Sequence, residues 1–87
     1  MGKTLFENKA WDDYLYWFRQ DRKIVEKINS LVENASRTPF SGLGKPEPLK
    51  GELSGFWSRR ITDEDRLVYR LKDGVLEILS CKGHYDA

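Results

Sequence analysis

The sequence predicts an α+β fold: two N-terminal antiparallel helices packed on a twisted, mainly antiparallel β-sheet. Three observations predict it. Apolar residues recur at helical spacing from Trp11 to Ala35. Pro39, Gly42, Gly44, Pro46 and Pro48 then interrupt the pattern. Beyond them, short alternating runs are separated by turn signals, of which Asp73-Gly74 is a strong hairpin signature.

In chain order, Lys3 to Phe6 reads as an edge strand, and Glu7 or Asn8 as a cap. From Lys9 to about Arg19, Trp11, Tyr14, Leu15 and Phe18 form one helical face. Asp12 and Asp13 fall in its first turn, where the helix dipole favours carboxylates. Tyr16 and Trp17 lie off this stripe and are expected to be partly exposed or to meet another subunit. Asp21 is the expected N-cap of a second helix with an apolar stripe of Ile24, Ile28, Leu31, Val32 and Ala35. Arg22, Lys23, Glu26, Lys27 and Glu33 make its wet side. So short a connection folds the two helices into a hairpin.

Residues 36 to 48 read as a long loop. Gly44-Lys45 lacks the spacing and the following Ser or Thr of a phosphate loop. Leu49-Lys50 begins a short strand, and Gly51 to Gly55 a turn. The next strands are expected at Phe56–Ile61, Arg66–Leu71 and Val75–Lys82, with a polar turn at Thr62–Asp65.

The 87 residues suffice for one domain, 1–87, and the mix of 39% hydrophobic and 33% charged residues is that of a folded protein. The formal net charge of +1 excludes a global basic field, so any nucleic-acid contact needs a local patch. One cysteine excludes an intramolecular disulfide and points to a reducing compartment. Cys81, inside an apolar strand, reads as a small hydrophobe. No run reaches membrane-spanning length and no signal-peptide pattern is seen, so a cytoplasmic location without membrane contact is expected.

The candidate site is built around the sole histidine, His84, followed by Tyr85. Alternation puts Leu67, Tyr69 and Leu71 toward the helices and Arg66 on the open face. Whether Arg59 or Arg60 joins Arg66 depends on the register of the 62–65 turn. A two-residue loop at Asp73-Gly74 would pair Arg66 with Cys81 and send His84 to the opposite face. A shared site therefore requires an odd loop or a β-bulge, expected near Gly83. The long loop brings Lys45, Glu47 and Lys50 beside Arg60 and Arg66. One carboxylate, several cations and one imidazole suit cleavage of an RNA phosphodiester by its own 2′-hydroxyl. Glu47 can take the hydroxyl proton, and His84 can give one to the leaving 5′-oxygen. The arginines and Lys50 stabilise the charge that develops on phosphorus. Tyr85, Phe56 and Trp57 offer rings for base stacking. The catalytic candidates are Glu47, Arg66 and His84, and the RNA- and phosphate-binding candidates are Lys45, Lys50, Arg59, Arg60 and Tyr85. One histidine without a second soft ligand falls short of a metal site, and no cofactor is expected.

The chain also resembles a known family. Trp11-Asp12-Asp13-Tyr14-Leu15-Tyr16-Trp17, Arg37-Thr38-Pro39-Phe40, Gly44-Lys45-Pro46-Glu47-Pro48-Leu49-Lys50, Leu53 to Ile61, Arg66-Leu67-Val68-Tyr69 and His84-Tyr85 resemble the YoeB toxins of the RelE superfamily. These belong to bacterial type II toxin–antitoxin systems. The resemblance implies a microbial-RNase-like fold and an endoribonuclease that cuts mRNA in the ribosomal A site and inhibits translation. It implies a YefM-type antitoxin, the ribosome and mRNA as partners, and a homodimer. It maps the acid–base pair onto Glu47 and His84, the transition-state arginine onto Arg66, supporting cations onto Lys50 and Arg60, and a terminal tyrosine onto Tyr85. Asp86-Ala87 extend past the His-Tyr pair that closes many family members, and Gly83 stands where a bulkier residue is common. A non-catalytic binding protein on the same scaffold, a gyrase poison or an antitoxin decoy, is the alternative. Relatives of that kind generally lack the carboxylate–imidazole–arginine set.

Overall fold

A computed structural model describes residues 2–84. Strand β1 (Lys3–Phe6) leads into helix α1 (Asn8–Gln20), helix α2 (Arg22–Arg37), strand β2 (Glu47–Pro48), a 3₁₀ turn (Gly51–Leu53), and strands β3 (Trp57–Arg60), β4 (Arg66–Lys72) and β5 (Val75–Ser80). The five strands form one sheet in the order β1-β5-β4-β3-β2. Only the β1–β5 pair is parallel. Both helices cover one face of this sheet, as expected from the order of the sequence patterns.

Asp21 closes α1 and opens α2: its backbone N–H donates to Trp17 O, and its carboxylate accepts from the Lys23 N–H at 3.0 Å. Helix α2 buries Ile28, Leu31 and Ala35 of the expected stripe, with Ile24 and Val32 partly buried against the core; Val25, outside that stripe, is buried as well. Helix α1 differs from expectation by one position. Ala10 is fully buried, and Tyr14 and Trp17 pack on the core, whereas Trp11 and Phe18 remain nearly half exposed. The small Ala10 lets α1 approach β5 closely enough for the Cys81 thiol to donate to Ala10 O at 3.5 Å. Trp17 is thus partly buried against the core, while Tyr16 beside it is exposed. Trp11 instead stacks on Tyr14, centroid to centroid at 5.6 Å, with Phe6 edge-on to both rings.

The core lies between the helices and the inner sheet face, around Ile28, Leu31, Leu67, Tyr69, Leu76, Ile78 and Cys81. Asp73 and Gly74, both at positive φ, form the two-residue hairpin, and Lys72 pairs with Val75. Tyr69 pairs with Ile78, but Val68 pairs with Ser80, so Leu79 is an extra residue on β5. The parity conflict is therefore resolved by a bulge, as anticipated, though at Leu79 rather than beside Gly83. It shifts the inward-facing set from Leu76 and Ile78 to Cys81. Regular pairing of β5 ends at Ser80 rather than Lys82.

Candidate functional site

On the face away from the helices, one cross-strand row runs Glu47–Ser58–Val68–Ser80 and the next pairs Arg60 with Arg66. Such neighbours stand about 4.5–5.5 Å apart at the backbone. The sequence reading put Glu47 in a loop, with a strand starting at Leu49. The pairing starts two residues earlier, so Glu47 is held on the sheet edge opposite Ser58. The preceding loop is fixed where Gly44 O accepts the Arg60 N–H at 2.7 Å. A side chain at Gly44 has no room: a Cβ would lie 2.8 Å from Leu31 Cδ2, at a φ of +79°. Lys45 follows at a φ of +54°, and Lys50 follows the buried Leu49 at the start of the 3₁₀ turn. Glu47, Lys45, Lys50, Arg60 and His84 are exposed, and Arg66 is half-buried.

Two like charges directly opposite one another destabilise a sheet pair. Arg60 and Arg66 hold that arrangement, which an anion between them relieves. The Arg66 guanidinium is fixed from below, since its Nη1 donates to Thr62 O at 2.8 Å, Asp65 O at 3.1 Å and Asp63 O at 3.3 Å.

His84 is delivered by the bulge and by two sets of bonds on the residues before it. Helix α1 holds Cys81: Asp13 Oδ2 accepts its N–H at 3.0 Å, and the Trp17 indole N–H donates to its carbonyl at 2.9 Å. Asp13 lies beyond the first turn of α1, so anchoring Cys81, not the helix dipole, accounts for its burial. The Lys82 ammonium stands 4.7 Å from the Tyr16 ring centroid. Gly83 O accepts the Arg66 N–H at 2.9 Å, which places His84 next to Arg66 along the chain path. Tyr85 lies outside the described residues.

Arg59 does not join this group. It alternates with Ser58 and Arg60 onto the helix face and is fully buried. All its donors are engaged: Nε with the Tyr69 hydroxyl, Nη1 with Asn34 Oδ1 and Leu43 O, and Nη2 with Thr38 O and Ser41 O. A cation so enclosed has no surface to offer a phosphate. Its charge is met by loop carbonyls and by the negative end of the α2 dipole at Thr38. Trp57 also lies on the helix side, against Phe40 at 5.0 Å. Phe56 is covered by the Arg70 guanidinium at 4.9 Å, which in turn pairs with Glu77.

The sequence reading missed Asp13, Trp17 and Asp65 as parts that hold the site. The signal for Asp13 was a carboxylate on the stripe that also carries Ala10, Tyr14 and Trp17. For Asp65 it was the Thr-x-x-Asp spacing of a side-chain-capped turn. A groove of about 370 Å³ between β1, α1 and α2, lined by Phe6, Trp11, Tyr14 and Val32, contains none of the candidate residues. Among the described residues, no three His, Cys, Asp or Glu side chains group as a metal site, and no helix is long and apolar enough to cross a membrane.

Residues 6–85 match the family model of the YoeB-like toxin of bacterial type II toxin–antitoxin systems. Toxin YoeB of Escherichia coli K12 is 58% identical over 83 residues, covering 95% of this chain and 99% of that one. A solved structure described as a YoeB/ParE toxin from Agrobacterium tumefaciens superposes with a TM-score of 0.93 at 55% identity, covering 95% of this chain and 99% of the other. The toxin in a heterotetrameric YoeB–YefM complex from Staphylococcus aureus superposes with a TM-score of 0.88 at 44% identity, covering 98% and 99%. The site built from the sheet register thus sits in a chain that belongs to the YoeB-like toxins of bacterial type II toxin–antitoxin systems.

Proposed function

We propose that this toxin is a ribosome-dependent endoribonuclease that cleaves mRNA in the ribosomal A site and so inhibits translation. The observation that carries the reading is the shared face of Glu47, Arg60 and Arg66, with His84 led to Arg66 by the Gly83–Arg66 backbone bond. Glu47 removes the proton of a ribose 2′-hydroxyl. The oxygen attacks the adjacent phosphorus, and Arg66 and Arg60 stabilise the extra negative charge of the phosphorane. The bond to the 5′-oxygen then breaks as His84 protonates that oxygen. The products are a 2′,3′-cyclic phosphate and a free 5′-hydroxyl. Lys45 and Lys50 attract the strand, and Tyr85 stacks on a base. Arg59 has no part in binding.

A net charge of +1 gives little unaided affinity for RNA, which supports dependence on the ribosome to present the strand. The whole chain acts as one cytoplasmic toxin domain. A YefM-type antitoxin as inhibitor is supported by the Staphylococcus aureus YoeB–YefM complex, and self-association by the YoeB dimer described from the same organism at 45% identity.

The test is purified protein on programmed ribosomes, with cleavage mapped by primer extension. Cuts at the A-site codon are expected from the native chain and none from the Glu47→Ala/His84→Ala double variant. Full cleavage by that variant would refute the reading. So would expression that halts DNA replication while translation continues, which would favour a non-catalytic toxin.

A further inference from the structure

The turn between β3 and β4 is a bonded unit that reaches the candidate arginine and Gly83, the residue before the candidate acid. Thr62 Oγ1 accepts the N–H groups of Glu64 at 3.1 Å and Asp65 at 3.0 Å, and donates to Asp65 Oδ2 at 2.8 Å. The second oxygen of the same carboxylate, Oδ1, accepts the Gly83 N–H at 2.9 Å. On its other side Gly83 accepts from the Arg66 N–H. The carbonyls of Thr62, Asp63 and Asp65 receive Arg66 Nη1.

Gly83 has a φ of +94°, and among the described residues nothing lies within 4 Å of where its Cβ would stand. The glycine is needed for a backbone turn, not for space. That turn is held at the Gly83 N–H by the carboxylate that also caps the 62–65 turn through Thr62.

We propose that Asp65 is a positioning residue: its carboxylate ties Gly83 to the 62–65 turn and so sets where the His84 imidazole stands relative to the Arg66 guanidinium. The inference rests on the endonuclease reading for its kinetic consequence, but not for its geometry. Misplacing a catalytic group by about 1 Å costs on the order of 10²-fold in rate. Loss of Asp65 therefore acts on turnover, with little effect on strand binding.

The chain has one histidine, so its ring resonances report His84 alone. The experiment is NMR of the full chain with Asp65→Ala, Asp65→Asn and Thr62→Val, together with cleavage kinetics on programmed ribosomes. In Asp65→Ala, Gly83 amide protection falls about 10-fold, as for loss of one hydrogen bond. The His84 ring resonances shift from their native positions while the amide of Ile78 in the core keeps its protection. In kinetics, kcat falls about 10–100-fold with KM within about two-fold. Asp65→Asn retains an oxygen acceptor for Gly83 and stays within about three-fold of the native chain in both measures. Unchanged Gly83 exchange and His84 shifts in Asp65→Ala overturn the proposal. An Asp65→Asn variant that keeps Gly83 protected yet loses kcat as far as alanine also overturns it, since charge rather than the bond would then act. Should the alanine variant not fold, Thr62→Val decides: reduced Gly83 protection supports the proposal and native protection refutes it. A native chain without A-site cleavage retires the endonuclease reading, while the exchange and ring-shift measurements still decide the positioning.

Discussion

Arg59 Nε donates to the Tyr69 hydroxyl at 2.8 Å, and that hydroxyl donates onward to Pro39 O at 2.7 Å. The relay joins β3, β4 and the loop after α2 through one buried cation. Burial pushes the Tyr69 phenol above its ordinary range, against the opposing hydrogen bond and charge of Arg59. Arg59→Ala would remove one hydrogen-bond partner from each of Asn34 Oδ1, the Tyr69 hydroxyl and the carbonyls of Thr38, Ser41 and Leu43. A hydrogen bond to a charged group is worth about 1.5–3 kcal/mol. The expected loss is at least about 3 kcal/mol in urea unfolding, and Arg59→Lys, with three donors in place of five, recovers only part of it. A variant with native stability and reduced RNA contact would return Arg59 to the binding surface.

The candidate catalytic groups make a kinetic prediction. Single replacement of Glu47 or His84 by alanine lowers kcat for A-site cleavage by about 10²–10⁴-fold, the usual reach of a general base or acid. Both residues are exposed, so urea midpoints stay near native values. Arg66→Ala loses activity and some stability, because its Nη1 also ties down the 62–65 turn. Equal cleavage by Glu47→Ala and the native chain in single-turnover assays would remove the carboxylate from the mechanism.

Alkaline pH provides a test of the buried thiol. Burial, with the Asp13 carboxylate adding to it, pushes Cys81 up to about 12. The unfolded thiol ionises near about 8.5, so above that pH the unfolded chain binds fewer protons than the folded one. Stability must then fall as pH rises from about 9 toward 12, by at most about 1.4 kcal/mol per pH unit for this group. Urea unfolding at pH 8, 9 and 10 should show the decline, and Cys81→Ala should flatten it. A slope that persists unchanged in the alanine variant would assign it to another group. The native thiol should also resist alkylation at pH 8 until urea is added.

Ser80 is fully buried in the row of Glu47, and its hydroxyl has no hydrogen-bond partner among the described residues. Such a group carries a desolvation cost without compensation. Ser80→Ala should stabilise the chain by up to about 1 kcal/mol, a rise of about 4–8 °C in Tm for a domain of this size. A fall in Tm would mean that the hydroxyl is satisfied in solution.

What the sequence made legible was local. Asp21 as a cap, Asp73-Gly74 as a hairpin and the α2 stripe each depend on residues a few positions apart; the first two match the structure, and the stripe does so except for the buried Val25. The face of α1 was not local. Ala10 and Asp13 look like poor core residues until β5 lies beneath them and Cys81 needs partners for its N–H and C=O. The identity of the arginine that shares the open face with Arg66 turned on one step of parity, set by the turn that pairs Arg60 with Arg66. Alternation alone left Arg59 and Arg60 equivalent. The bulge was demanded by chemistry, because His84 otherwise pointed away, but Leu79 carries no local mark of it. Gly83 carries such a mark, a positive φ, and that mark serves a different bend.

The extra residue at Leu79 gives β5 one residue to spare. Deleting that one codon would leave Ile78 opposite Tyr69 and Ser80 opposite Val68, now as consecutive pairs of an unbroken ladder. Cys81 would keep its inward direction and His84 its face, because only the looped-out residue is lost. The last strand can therefore shorten by one codon here without turning its end over.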